Sequence, residues 1–266
     1  MHATKGRHAD RTTRAQGPAV SALVATEHAD PRFSGLDSWD DAAILSALLD
    51  GQKRGLDAVS AALSDIATAA QLGVAALQAG GRLIYVGAGS PGLIALGDAL
   101  EIPQTYGIAR DRIEIVRAAK TAGAGTVGIA GNGGAPLLAD ADVAILLASG
   151  AEVISGSTRM AAGTAQKAAL NMLSTLIGVR MGHVHDNFMV NVTADNDKLV
   201  LRATGIVARI AGVGPDVAAK AMQTAHNEVK PAILLAAGAK DLSEAQQLLA
   251  QSGGVVRKAL AVLGRP

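Results

Sequence analysis

Apolar residues recur at helical spacing from about residue 41 to 53 and again from 56 to 79, with Gly55 near the break between the two runs. Ser38 to Asp41 supplies N-cap chemistry before the first run, and "AGG" at 79–81 supplies a glycine stop after the second. Short apolar runs then take over. "RLIYVGAG" reads as a buried strand with its loop, "RIEIV" at 112–116 as a second strand, and "AGTVGIAGN" at 124–132 and "DVAILLA" at 142–148 as two more. "GLIALGDALE" gives a helix that starts at Pro91, whose missing N–H suits a first turn, and stops before Pro103. A long helix over about 157–181 follows "ISGST". From 195 onward the pattern is helical in short pieces, with Asp241 and Glu244 at capping-box spacing. Strands alternating with helices predict a parallel α/β sheet, preceded by helices and followed by a small helical bundle. The expected divisions are a disordered tail over 1–25, an α/β unit with its N-terminal helices over 26–194, and a helical unit over 195–266.

One junction breaks this pattern. Only Arg117 to Gly123 separate "RIEIV" from "AGTVGIAG", whereas a parallel crossover takes a dozen or more residues. Either 112–116 is not a sheet neighbour of 125–130, or chain is missing there. Composition narrows the picture further. Apolar residues make up 49% of the chain but aromatics only 2%, so the core must be built from Ala, Val, Leu and Ile. With 24 basic and 23 acidic residues there is no basic excess to suggest a nucleic-acid partner. The chain has no cysteine, which excludes disulfides and thiolate metal sites. "MHATKGRHADRTTRAQGPAV" lacks the apolar stretch of a secretory signal, and no run of 18 apolar residues marks a membrane span, so a soluble cytoplasmic protein is expected.

The chemistry gathers at two helix starts. In "YVGAGSPG", residues 85–92, Gly87, Gly89 and Gly92 match GxGxxG after a strand. As a dinucleotide loop this needs an acid about 20 residues further on, at the end of the next strand. Glu114 has the distance but lies inside its strand. A sugar phosphate needs only the bare N–H groups and positive end of the helix dipole, with Gly89 at the turn and the Ser90 hydroxyl in addition; Ser90 also serves as a simple helix cap. In "AEVISGSTRM", Ser155, Ser157 and Thr158 crowd the next long helix and Arg159 follows, more hydroxyls than one cap requires. His183 and His185 in "GHVHDNF" lack a third metal ligand, so they are not expected to hold a metal.

"GGRLIYVGAG", "DALEIPQTYG", "EVISGSTRMAAGTAQKAALNMLST" and "HDNFMVNVTADNDKL" together resemble the N-acetylmuramic acid 6-phosphate etherases, members of the sugar-isomerase (SIS) class. The likeness runs from about 25 to 264, with "TEHADPRFSGLDSWD" resembling that family's N-terminal segment. It implies removal of the D-lactyl ether from N-acetylmuramic acid 6-phosphate, without metal or nucleotide, in a homodimer whose sites draw on both copies. It also implies a proton donor at Glu101, partly buried beside Ile102 and Pro103, with its pKa raised by that burial. Phosphate and sugar hydroxyls would be held at Gly89, Ser90, Ser155, Ser157 and Thr158. The family's second acidic segment and a second phosphate loop have no counterpart here. Roughly 45 residues, about one and a half βα units, are absent near 114–117, which leaves Glu152 as a stand-in carboxylate. Pro91, Leu93 and Ala161 also depart from the family's usual Ser, Arg, and Lys or Gly. The alternative is a regulator of SIS type that binds a sugar phosphate but has lost the chemistry.

Overall fold

The computed structural model describes residues 25–87, 89–116, 124–192 and 196–265; the tail lies outside them, as does most of the short junction. Helix α1 (Asp41–Ala61) starts at Asp40, whose carboxylate accepts from the Ala43 amide at 2.8 Å. Helix α2 (Leu63–Gln78) follows after a 62° bend. The two runs therefore divide at Ala62 and not near Gly55. Gly55 sits inside α1 where it presses on the start of α5 (Ala161–Arg180), and a Cβ there would be driven into the Ala161 carbonyl. The glycine permits close backbone approach; it is no helix break.

Strand β1 (Leu83–Val86) pairs in parallel with β2 (Ile113–Val116), Leu83 opposite Ile113. Strand β3 (Val127–Ala130) pairs in parallel with β4 (Val143–Leu146), Val127 opposite Val143. Among the described residues no ladder joins the two pairs. Strand 112–116 is thus not bonded to 127–130, the first of the two alternatives that the short crossover left open. Between β1 and β2, α3 runs from Gly89 to Tyr106 and carries Pro103 within it, so it neither waits for Pro91 nor stops before Pro103. The ring removes one backbone donor, but the helix end is held from outside. The Tyr106 ring lies against Gly178, its hydroxyl meets Thr175 Oγ1 at 2.8 Å, and its carbonyl accepts from Asn191 Nδ2 at 2.8 Å. A short α4 (Pro136–Ala139) and a hairpin of β5 (Val184–His185) and β6 (Phe188–Met189) complete this part; the hairpin is too short to leave a pattern in the sequence.

Two apolar clusters form the interior. One packs α2, α3 and α5 on the strands through Ile66, Leu77, Ile102, Ile145, Leu147 and Ile177. The other joins α6 (Asp197–Ala211), α7 (Pro215–Thr224), α8 (Val229–Ala237), α9 (Leu242–Gln251) and α10 (Val256–Val262) through Val207, Met222, Ile233, Leu234 and Leu260. Each such side chain contributes about 1.5–3 kcal/mol when fully buried. The expected cap of α9 is present, with Asp241 Oδ1 accepting from the Glu244 amide at 2.9 Å.

Candidate active site

The glycine loop is tight. A Cβ at Gly87 would stand 2.7 Å from Gly92 Cα, so the strand end and the first turn of α3 touch backbone to backbone. Gly89 lies in the left-handed region with φ of 63°, and Ser90 lies exposed inside the first turn, not ahead of it as a cap. The opening amides and the positive dipole end of this 18-residue helix suit an anion. Glu114 does not suit a ribose: it lies in mid-strand and pairs with Arg82 at 3.1 Å.

The second helix start is arranged differently from expectation. Helix α5 begins at Ala161, so Ser155, Ser157 and Thr158 lie in the loop before it. Its first amides are already taken. Glu152, with 0% of its surface exposed, accepts from Ala161 N at 2.9 Å and Ala162 N at 3.0 Å. Glu152 is therefore a buried helix cap, with both carboxylate oxygens engaged by the start of α5. Ser155 Oγ donates to the Glu27 carbonyl at 2.7 Å, and the Gly156 amide donates to the Thr26 carbonyl at 2.9 Å. The N-terminal segment thus docks on this loop and consumes the Ser155 hydroxyl. Ser157 is half-buried and Thr158 and Arg159 are exposed.

Glu101 is exposed, with 70% of its side chain open to solvent, and the partial burial expected from its neighbours is absent. Ile102 alone turns inward, because the buried face of α3 runs through Ala95, Asp98, Ala99, Ile102 and Tyr106. Lys167 of α5 stands 3.9 Å from the Glu101 carboxylate, an exposed pair that adds little stability. Glu101 borders a cavity of about 160 Å³ between α3 and α5, with Asp98 at its wall. Eleven residues separate Ser90 from Glu101 on one helix, a rise of about 17 Å. The glycine loop and the glutamate of one chain are therefore far apart.

Sequence reading missed Asp98. It is 2% exposed, accepts from Tyr85 Oη at 2.9 Å, and has Ser174 Oγ at 2.9 Å. Burial raises its pKa, against the lowering effect of the two hydroxyls and Lys167. A lone acid on the apolar face of "GLIALGDALE" was the available signal. His183 is half-buried: its Nδ1 meets the Tyr106 carbonyl, and partial burial, with Lys230 nearby, pulls its pKa down to about 4. It braces the end of α3. His185 is buried, and among the described residues no group of three His, Cys, Asp or Glu is placed for a metal.

A strand, glycine loop and helix beside parallel strand pairs, covered by α2, α3 and α5, define an α/β protein of the SIS class. No protein-family model matches the chain. Individual relatives do. It is 34% identical over 288 residues to the N-acetylmuramic acid 6-phosphate etherase of Deinococcus radiodurans, covering 88% of this chain and 94% of that protein. The etherases of Geobacillus thermodenitrificans and Serratia proteamaculans give 34% over 290 residues and 35% over 294, covering 98% and 99% of those proteins. The chain belongs to the N-acetylmuramic acid 6-phosphate etherase family, a family of carbon–oxygen lyases. The first comparison also bears on the missing chain. Its 288 aligned positions involve 88% of 266 residues, about 234, so roughly 54 positions have no counterpart here.

Proposed function

We propose that this chain cleaves the D-lactyl ether of N-acetylmuramic acid 6-phosphate, giving N-acetylglucosamine 6-phosphate and D-lactate, in cytoplasmic recycling of cell-wall amino sugars. The observation that carries this reading is the likeness to named etherases along nearly their whole length. In the reaction a base takes the C2 proton of the open-chain aldehyde and the C3–O bond breaks. An acid protonates the departing lactate oxygen, and water then adds at C3.

The phosphate sits at the start of α3, on the amides around Gly89 and on Ser90. Ser157 and Thr158 meet sugar hydroxyls. Glu101 supplies the proton to the leaving oxygen, but it does so for a second copy of the chain. The rise of about 17 Å between Ser90 and Glu101 exceeds the reach of one hexose phosphate from its phosphate to its 3-oxygen. Leu93 and Leu100, 72% and 56% exposed, and Leu96 form an apolar stripe on α3 beside Glu101, which supports a homodimer formed over this face. The short connection between β2 and β3 supports assigning the unpaired alignment positions to that junction.

D-lactate release from N-acetylmuramic acid 6-phosphate tests the activity. The parent chain releases it, and Glu101→Gln abolishes release while sugar-phosphate binding persists. Binding by the parent chain with no release would identify a sugar-phosphate binder instead.

A further inference from the structure

Asp98 occupies a place that the proposed chemistry does not use. Its carboxyl group lies on the buried face of α3, one turn before Glu101, and both border the same cavity. Three short oxygen–oxygen contacts form a series from Tyr85 through Asp98 and Ser174 to Leu170. Tyr85 Oη is 2.9 Å from Asp98 Oδ2, Ser174 Oγ is 2.9 Å from Asp98 Oδ1, and Ser174 Oγ is 3.0 Å from the Leu170 carbonyl oxygen, with the Asn171 carbonyl oxygen further off at 3.4 Å. Three hydrogen bonds need three hydrogens. The Tyr85 and Ser174 hydroxyls hold one each, and the Leu170 carbonyl holds none. The third hydrogen is placed if Asp98 is a carboxylic acid: Tyr85 donates to Asp98, Asp98 donates to Ser174, and Ser174 donates to Leu170. An ionised Asp98 would leave the single Ser174 hydrogen facing two acceptors. Burial points the same way, since only 2% of Asp98 is exposed. The charged groups that face it are Glu101 on its own helix and Lys167 on α5, and the Lys167 ammonium is drawn toward Glu101. Tyr85 reaches it from β1.

We propose that Asp98 is a positioning residue for the etherase reaction and works as a neutral acid, fastening α3 to β1 through Tyr85 and to α5 through Ser174 so that Glu101 is held at the mouth of the cavity. The inference rests on the etherase reading for its catalytic half. The neutral form also spares Glu101 a like charge one helical turn away.

Asparagine copies a neutral aspartic acid, since its oxygen accepts from Tyr85 and its NH₂ donates to Ser174, whereas it fails to copy an anion. Asp98→Asn and Asp98→Ala are compared with the parent in thermal unfolding from pH 4 to 8 and in D-lactate release. With a pKa raised in the folded state, the parent gains stability from this proton below the unfolded value of 3.8 and loses it as pH rises through the folded value. The Asn variant lacks that loss, so its Tm relative to the parent climbs with pH. In turnover it stays within about threefold of the parent, while Asp98→Ala loses roughly tenfold or more in kcat with KM little changed. A Tm difference flat in pH, or an Asn variant as impaired as the Ala variant, overturns the inference. A parent chain that releases no lactate overturns the etherase reading and the catalytic half with it, while the Tm comparison still decides the proton.

Discussion

Glu152 caps Ala161. The fully buried carboxylate takes the first two amides of α5 at 2.9 and 3.0 Å, ahead of any ligand. This relationship separates two helix starts that look alike in sequence: one is closed by the protein's own acid, and the other, at α3, opens on Ser90. Replacing Glu152 by Ala removes two charge-assisted bonds and strands two buried donors. The expected cost is about 3 kcal/mol of folding stability, read by chemical denaturation, with turnover per folded molecule retained. Lost turnover at retained stability would instead make Glu152 an acid of the reaction.

Gly55 tests the packing of α1 on α5. A methyl group there meets the Ala161 backbone, which is fixed by the Glu152 cap and does not yield as a flexible side chain would. Gly55→Ala should destabilise by about 1–3 kcal/mol, despite the better helix propensity of alanine. A stabilised variant would show that the two helices are further apart.

His183 makes a pH prediction. Burial first, then the Lys230 charge, lower its folded pKa to about 4 from 6.5, against the Tyr106 carbonyl that raises it. The unfolded chain therefore binds the proton more tightly. The stability tied to neutral His183 is complete above about pH 6.5 and is lost as pH falls through about 4. A His183→Asn variant should show a flatter decline over that window, measured as Tm against pH. An identical slope would remove His183 as a source of the acid sensitivity.

Leu100 probes the shared assembly. It is 56% exposed, so Leu100→Glu should alter folding stability by less than about 1 kcal/mol. The same change places a charge in the apolar stripe and should convert the proposed homodimer to monomers in sedimentation. A dimer that survives the change was formed elsewhere.

Much of this arrangement was legible in the sequence because it is local. Asp40 ahead of α1, the four apolar strand runs, the "AGG" stop and the Asp241–Glu244 cap each depend on neighbours a few residues away. What stayed hidden depends on contacts between distant parts. Gly55 resembles a helix break until Ala161 lies across it. Ser155 resembles a free hydroxyl until the Glu27 carbonyl reaches it from the other end of the chain. Pro103 resembles a stop, yet Thr175 and Asn191 hold the turn beyond it. The motif around Glu101 singled out the residue, but its exposure became visible only in three dimensions.

The proposed sharing of the site between two copies is tested most directly by complementation. Glu101→Gln removes the proposed proton donor, and Ser90→Asp puts a negative charge at the proposed phosphate site; each change alone should silence D-lactate release. Equal co-expression of the two variants gives heterodimers in half of the assemblies, each with one site built from an intact loop and an intact glutamate. The account predicts recovery to about a quarter of the parent rate in the mixture. No recovery above either variant, with heterodimers demonstrated to form, would contradict it.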